Sequence, residues 1–411
     1  MNLKINLDRL RKDIEELAQI GLDSQGGISR PSFSRADLEA RTWFKDKLKQ
    51  AGLIVRQDGA GNIFGRLHGE QEESVVLVGS HLDTVIHGGS FDGSCGVLSG
   101  LECLRVIKEQ GRRLRKPVEV VSFTDEEGNL VGDFLGSRAF VGCLREEELK
   151  HGQTQFGRPL SEILQGTGFS IESILQASQQ APKVEAYLEL HIEQGEVLEL
   201  EEVPLGIVTK IAGKRLYWAS FGGRPGHAGT VPLELRHDAF LGLADFALRG
   251  TRLVASEYED ARITIGRVQL HPGSFSIVPG RADFTLDLRS LENNQLRAVE
   301  KSLLSLAEEV ASSRGLTFHS RLIDSTDPTP LSSRLILLLE EEAGRLGYRW
   351  IRLTSGAGHD AQILAAVAET AMIFIPSPEG ISHSPEETIR WHDLEKGANL
   401  LLAALVKLAA E

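Results

Sequence analysis

Two apolar runs constrain this chain more than any other feature. Val75-Val76-Leu77-Val78 is unbroken and stops at Gly79, and Val118–Phe123 is a second such run. The stretch between them, 96–109, reads as a helix. Strands that lack polar alternation bury both faces, so this strand, helix, strand pattern predicts a parallel sheet covered by helices on both sides. At 411 residues the chain is too long for one ordinary domain, and its middle third changes style. There Ala282, Phe284, Leu286 and Leu288 alternate with Arg281, Asp283, Thr285, Asp287 and Arg289, the period of a half-exposed antiparallel strand. A partner strand over 263–268 and helices over 233–248 and 293–310 make this a smaller α+β domain. A helix over 332–346, a strand over 371–375 and a closing helix return to the first style. The expected fold is α/β: a larger domain with a mostly parallel sheet (1–210 and 324–411), interrupted by a smaller α+β domain (211–323). At the N-terminal end Leu7, Leu10, Ile14 and Leu17 recur at helical spacing. A second helix is expected to start after Ser34, with Asp37 completing a capping box, and to end at Gly52.

Charge and leader features narrow the function. Lys and Arg total 45 against 58 Asp and Glu, a net charge of −13, which argues against a sequence-independent grip on nucleic acid or anionic lipid. The opening MNLKINLDRLRKDIEEL is charged throughout and lacks the apolar centre of a secretion signal. No stretch approaches the ~20 apolar residues of a membrane span. Three cysteines, Cys95, Cys103 and Cys143, form neither a CxxC pair nor an even framework. These features predict a soluble, cytoplasmic protein with no nucleic-acid or membrane partner.

The chemistry-bearing residues lie just past the ends of predicted strands, where open α/β sheets place their ligands. They fall in Gly79-Ser80-His81-Leu82-Asp83-Thr84, Gly88-Gly89-Ser90-Phe91-Asp92-Gly93, Thr124-Asp125-Glu126-Glu127 and His191-Ile192-Glu193-Gln194. Late in the chain come Ser355-Gly356-Ala357-Gly358-His359-Asp360 and Gly380-Ile381-Ser382-His383-Ser384. Each is weak alone, because a lone histidine is more often a hydrogen-bonded structural residue and an acidic pair is usually a solvated face. Together they put imidazoles and carboxylates, without a thiolate, at one sheet edge. Such a set suits zinc, manganese, cobalt or nickel, and a carboxylate among imidazoles can bridge two ions. On these residues alone the structural reading stays open beside the metal one. The stretch from Gly93 to Gly100 is neither GxGxxG nor a P-loop, and no GxSxG occurs, which counts against a nucleotide site and a nucleophilic serine.

The strings GSHLDTVIHGGSFDG, FTDEEG, GSRAFVG, ELHIEQGEVLE, GHAGTVPLELRHDA, SGAGHDA and GISHSPEE together resemble the N-carbamoyl-L-amino-acid hydrolase and allantoate amidohydrolase family. This family is a group of two-metal amidohydrolases related to aminopeptidases, and the resemblance runs over nearly the whole chain. It implies a metal-dependent enzyme that cleaves the ureido C–N bond of a small carboxylate substrate. It further implies two divalent ions per subunit (zinc, or manganese, cobalt or nickel) and a homodimer formed through the inserted domain, which acts as a lid. Carried over by position, it makes His81, Asp92, Glu127, His191 and His383 metal ligands, with Asp92 bridging. Glu126 becomes the general base, and Asp83 the carboxylate that orients His81. His227 becomes the oxyanion-stabilising group delivered from the partner subunit, and Arg289 the holder of the substrate carboxylate. Gln194 and the backbone at Gly358 become further substrate contacts.

Two positions depart from the family's pattern. Many members carry Asn where this chain has Gly226, and Asn where it has Ser276, the second of which normally touches substrate. Both changes remove polar groups, so the resemblance favours N-carbamoyl-L-amino acids over allantoate. A di-metal aminopeptidase or dipeptidase is the alternative on the same scaffold, and the imidazole of His191 counts against it because peptidase relatives generally place a carboxylate there. A non-enzymatic amino-acid-binding homologue is the remaining alternative; the filled ligand and base positions count against it.

Overall fold

The computed structural model describes residues 3–152, 154 and 157–410. The chain forms two compact units, one of Met1–Thr209, Leu331–Leu353 and His359–Glu411, the other of Lys210–Pro330 and Thr354–Gly358.

In the first unit the strands Ile54–Gln57, Ile63–Leu67, Val118–Phe123, Val75–His81, Val184–Ile192, Glu369–Ile375 and Gly206–Ile211 lie side by side in that order. The four from Val118–Phe123 to Glu369–Ile375 are mutually parallel, and their neighbours on either side run antiparallel. Every residue of Val75–His81 and Val118–Phe123 is buried, as strands covered on both faces must be. That includes Glu119, whose carboxylate is held by Arg56 and Arg66, each at 2.8 Å; a buried charge persists only when paired in this way. Helices Ser94–Glu109 and Trp391–Ala410 pack on these strands, and Leu7–Leu17 packs on those two helices. Ser94–Glu109 is buried from Ser94 to Ile107, including Glu102 and Arg105, which pair with Arg9 and Asp13 as buried charges must.

The first two helices start where their side chains cap them. Asn6 accepts from the Arg9 amide and Ser34 from the Asp37 amide. The capping box expected at Asp37 does not form, because that carboxylate accepts the Phe33 amide at 2.7 Å and pairs with Arg41 at 2.6 Å. All four parallel strands end at one edge of the sheet, at His81, Phe123, Ile192 and Ile375, and the loops that follow contain motifs singled out in the sequence.

The second unit has a sheet ordered Val268–His271, Arg281–Ser290, Gly213–Gly222, Thr317–Thr326, with Arg262–Thr264 also paired to Arg281–Ser290. Ala282, Phe284, Leu286 and Leu288 are buried along Arg281–Ser290 while the residues between them are partly exposed. Their core is shared with Phe221, Phe246, Leu303 and Val299, which places Ala239–Glu257 and Asn293–Ser313 over one face of the sheet. The single strand expected over 263–268 is two strands. The ladder breaks at Arg267, whose amide is taken by the Thr285 side chain at 3.0 Å, a side-chain substitute for main-chain pairing. The helix expected over 233–248 starts at Ala239 and runs to Glu257, since Asp238 caps it by accepting from Phe240 and Leu241. A two-stranded ribbon pairs Gly226–His227 with Ile277–Val278. No helix of the described residues is long and apolar enough to cross a membrane.

Candidate metal centre

His81 is the last residue of its strand, and its ring is oriented by the main chain just beyond it. Nδ1 lies 3.0 Å from the Asp83 carbonyl oxygen, so Nδ1 carries the proton and Nε2 presents a lone pair. His191, near the end of Val184–Ile192, is set in the same way: Nδ1 meets the Ile192 carbonyl at 2.9 Å. Both Nε2 atoms face one oxygen of Asp92. Oδ1 is 3.5 Å from His81 and 3.1 Å from His191. The other oxygen, Oδ2, is 3.1 Å from Nε2 of His383, which in turn is 3.6 Å from Glu127. His81, Asp92 and His191 form one group able to hold a metal ion, and Asp92, Glu127 and His383 a second. Asp92 belongs to both, one oxygen to each.

A cation fits these residues on three counts. Nε2 of His81 is buried and has no hydrogen-bond partner, an expensive arrangement for a polar atom. The space beside it is kept by Gly93 at φ 60°, where a Cβ would fall 2.4 Å from that nitrogen. The donors themselves are imidazole and carboxylate, suited to zinc, manganese, cobalt or nickel. The two groups differ in access: the His81 and His191 side chains are 1% and 2% exposed, that of His383 49%. An ion held at the His383 group would therefore be the more accessible to solvent.

Glu126 lies beside the first group, with Oε2 3.6 Å from Nε2 of His81. Asp83 does not orient His81 through its carboxylate as expected. Its carbonyl does so, because the turn after the strand brings that oxygen under the ring, and the nearer carboxylate oxygen stays 3.8 Å away. The carboxylate instead accepts the main-chain amides of Glu126 and Glu127 at 3.4 and 3.3 Å, fixing the backbone that carries both. The Gln194 side-chain amide donates to Oδ2 of Asp92 at 2.8 Å and to Ser382 Oγ at 3.1 Å.

The electrostatics follow from burial among like and unlike charges. Burial raises Glu126, and Glu127, Asp360 and Asp92 add to it, so its carboxyl stands well above the ordinary range despite His81. Burial and Asp92 push Glu127 up to about 8. Burial pulls His81 down, but Glu126, Asp92 and Asp83 outweigh it and hold the imidazole well above its usual value. Hydrogen bonding to Asp92 lifts His383 to about 9. Burial works to raise Asp92, yet the three imidazoles keep it well below the ordinary carboxylate range.

A proton on an Nε2 occupies the lone pair that a cation needs. Apparent metal affinity is therefore expected to fall as pH drops below about 9, the value at His383, by about tenfold per pH unit for each proton displaced. Calorimetric titration across a pH series checks this, and an affinity independent of pH would exclude these imidazoles as ligands.

The other residues singled out in the sequence belong to the second unit. His227 is exposed on the short ribbon, its Nδ1 accepting the Gly229 amide at 3.1 Å, and it stands opposite Ile277. Ser276 is its neighbour through the ribbon, with its carbonyl accepting the Ala228 amide. Arg289 pairs with Asp287 on the same strand at 2.9 Å and donates to the Gly356 carbonyl at 2.8 Å; Gly358 lies in the same late segment of this unit.

Three residues that the structure adds to the centre receive no role from the sequence, although His359 stands in one of the motifs past the strand ends. Glu189 and His359 form a further group with His191, and the His359 and His191 rings meet edge to face at 4.6 Å. Glu387 reaches the backbone of Asp92. Glu189 had a readable signal, since it lies two residues before His191 and so on the same strand face.

Comparison with known proteins identifies the family. Residues 77–407 match the model of peptidase family M20/M25/M40. The chain is 37% identical to the N-carbamoyl-L-amino acid amidohydrolase of Geobacillus stearothermophilus over 98% of both chains. It is 34% identical to the allantoate amidohydrolase of Bacillus subtilis over 96% of both. A crystal structure of a hydantoinase/carbamoylase family amidase from Burkholderia vietnamiensis superposes with a TM-score of 0.90 at 35% identity, covering 99% of this chain and 98% of that one. With matches of this extent to amidohydrolases along its full length, the chain belongs to peptidase family M20/M25/M40, as a hydrolase of carbon–nitrogen bonds other than peptide bonds.

Proposed function

We propose that this enzyme hydrolyses the ureido C–N bond of N-carbamoyl-L-amino acids, giving the free amino acid and a carbamate that breaks down to carbon dioxide and ammonia. The observation that carries this reading is the division of Asp92, one oxygen facing His81 and His191 and the other facing His383, with buried Glu126 alongside. His81, His191 and Asp92 would hold one divalent ion, and Asp92, Glu127 and His383 the other. When bound, two such ions polarise the ureido carbonyl and make water a nucleophile near neutral pH.

The protein's own part is proton transfer and positioning. Glu126 takes the proton from the attacking water at its carboxylate and returns it to the leaving nitrogen, and its raised pKa suits a group that both accepts and gives. Asp83 keeps Glu126 in place through the backbone amides. Arg289 holds the substrate carboxylate as a two-pronged donor, and Gln194 and the Gly358 backbone make further substrate contacts. His227 supplies an oxyanion donor from the second subunit of a homodimer formed through the second unit. Mixing inactive His227→Ala and inactive Glu126→Gln chains should restore partial activity, and no recovery in a verified mixed dimer would place His227 in action within its own chain. Arg289→Lys is expected to raise KM with little change in kcat, since a bidentate guanidinium–carboxylate pair is lost. Steady-state kinetics decide this, and an unchanged KM would leave Arg289 a structural partner of Asp287 and the Gly356 carbonyl.

Allantoate is the second reading, favoured by the Bacillus subtilis relative. It carries another ureido arm that needs polar partners, and a buried amide left unpaired costs about 1–3 kcal/mol. Ser276 is short and Gly226 has no side chain, so the carbamoyl amino acids are expected to lead in kcat/KM by about 5- to 150-fold. The test is metal-loaded protein incubated with a panel of N-carbamoyl-L-amino acids, allantoate and dipeptides, with ammonia and free amine measured. Faster turnover of allantoate than of every carbamoyl amino acid would reverse the order of substrates, and release of amine from dipeptides alone would reject ureido hydrolysis.

A further inference from the structure

Glu387 lies four residues beyond His383 in the same loop and is 5% exposed. One of its oxygens, Oε1, accepts the main-chain amides of Phe91 and Asp92 at 2.8 and 3.1 Å. The other, Oε2, accepts the Ser382 hydroxyl at 2.9 Å. That hydroxyl is also 3.3 Å from Oδ2 of Asp92, so the carboxylate ties the loop carrying Asp92 to the loop carrying His383. The approach is close enough to demand glycine opposite it: a Cβ on Gly89 would fall 2.3 Å from the Glu387 carboxyl carbon.

We propose that Glu387 is a positioning residue for the second ion, setting the separation of Asp92 Oδ2 and His383 Nε2. This rests on the two-ion reading above. The charge of Glu387 fits the role as well as its shape does. Its partners are neutral amides and a hydroxyl, and among the described residues no lysine or arginine pairs with it. A buried anion beside the anion Asp92 is costly unless a cation is nearby. Glu387 thus holds the two loops of the more exposed group in register, and its carboxylate would add negative potential once an ion is taken there.

The test is calorimetric titration of metal-stripped, full-length protein with manganese or zinc alone, for the wild type, Glu387→Gln and Ser382→Ala. Glutamine keeps an oxygen for the two amides but loses the charge and the acceptor for Ser382. The expected result is two ions in the wild type, with the weaker affinity falling about 10–100-fold in Glu387→Gln, the usual effect of changing such a supporting partner. The tighter affinity should stay within about twofold, and Ser382→Ala should show a smaller loss at the same ion. Excess manganese should restore kcat in Glu387→Gln, which a merely structural defect would not allow. Unchanged affinities in Glu387→Gln overturn the proposal. So does an equal loss at both ions together with a lowered melting temperature of the metal-free protein, which would mark general support of the fold. A wild type that saturates at one ion instead refutes the two-ion reading, and the positioning role with it.

Discussion

Glu126→Gln should lower kcat by about 10²–10⁴-fold, the span usual for a general base, while the protein keeps its full complement of metal. The substitution preserves shape and removes the site that accepts a proton. Glu126 faces His81 at 3.6 Å but belongs to neither group of candidate ligands, so on the two-ion proposal neither ion would depend on it. Glu127 is its opposite. It shares a group with Asp92 and His383, and Glu127→Gln should release one ion, with activity returning at high metal concentration. Elemental analysis beside single-turnover kinetics separates the two residues. If Glu126→Gln lost metal and Glu127→Gln kept it, their roles would be exchanged.

The second large effect is expected at Asp92. Its two oxygens face different imidazoles, so on the two-ion proposal Asp92→Ala would remove a ligand from both ions at once and should leave neither at stoichiometric occupancy. Activity should fall to background, as it should on chelation of the wild-type protein, and only the chelated wild type should recover on adding manganese, cobalt, nickel or zinc. Loss of a single ion in Asp92→Ala would show that the carboxylate does not bridge. Full activity in chelated protein would remove the metal assignment altogether.

What could be read from the sequence, and what could not, divides by distance along the chain. The period-2 alternation from Arg281 to Ser290 and the apolar run at Val75 are local signals, and both strands form where those signals lie. The strand-end motifs contain the residues that the structure gathers at one edge: His81, Asp92, Glu126, Glu127, His191 and His383. Atom-to-atom partners were not legible. Nothing near Glu119 in sequence says that Arg56 and Arg66 neutralise it, and nothing near Arg267 says that Thr285 interrupts its strand. Asp83 was credited with a carboxylate contact that its own carbonyl makes. Glu387 reads as one of two adjacent acids in SPEE, because the amide it accepts at Asp92 is 295 residues away.

The order of strands also bears on how the chain is made. Glu369–Ile375 sits in the interior of the first unit's sheet, between Val184–Ile192 and Gly206–Ile211. A ribosome delivers it only after all of Lys210–Pro330 has emerged. The second unit is nearly continuous in sequence and can pack its core during synthesis, whereas Val184–Ile192 must wait with an open hydrogen-bonding edge, the state most exposed to mispairing between nascent chains. Slow translation or premature termination beyond residue 330 thus leaves a finished insert on an unfinished host, and this interval is where a chaperone has the most to protect.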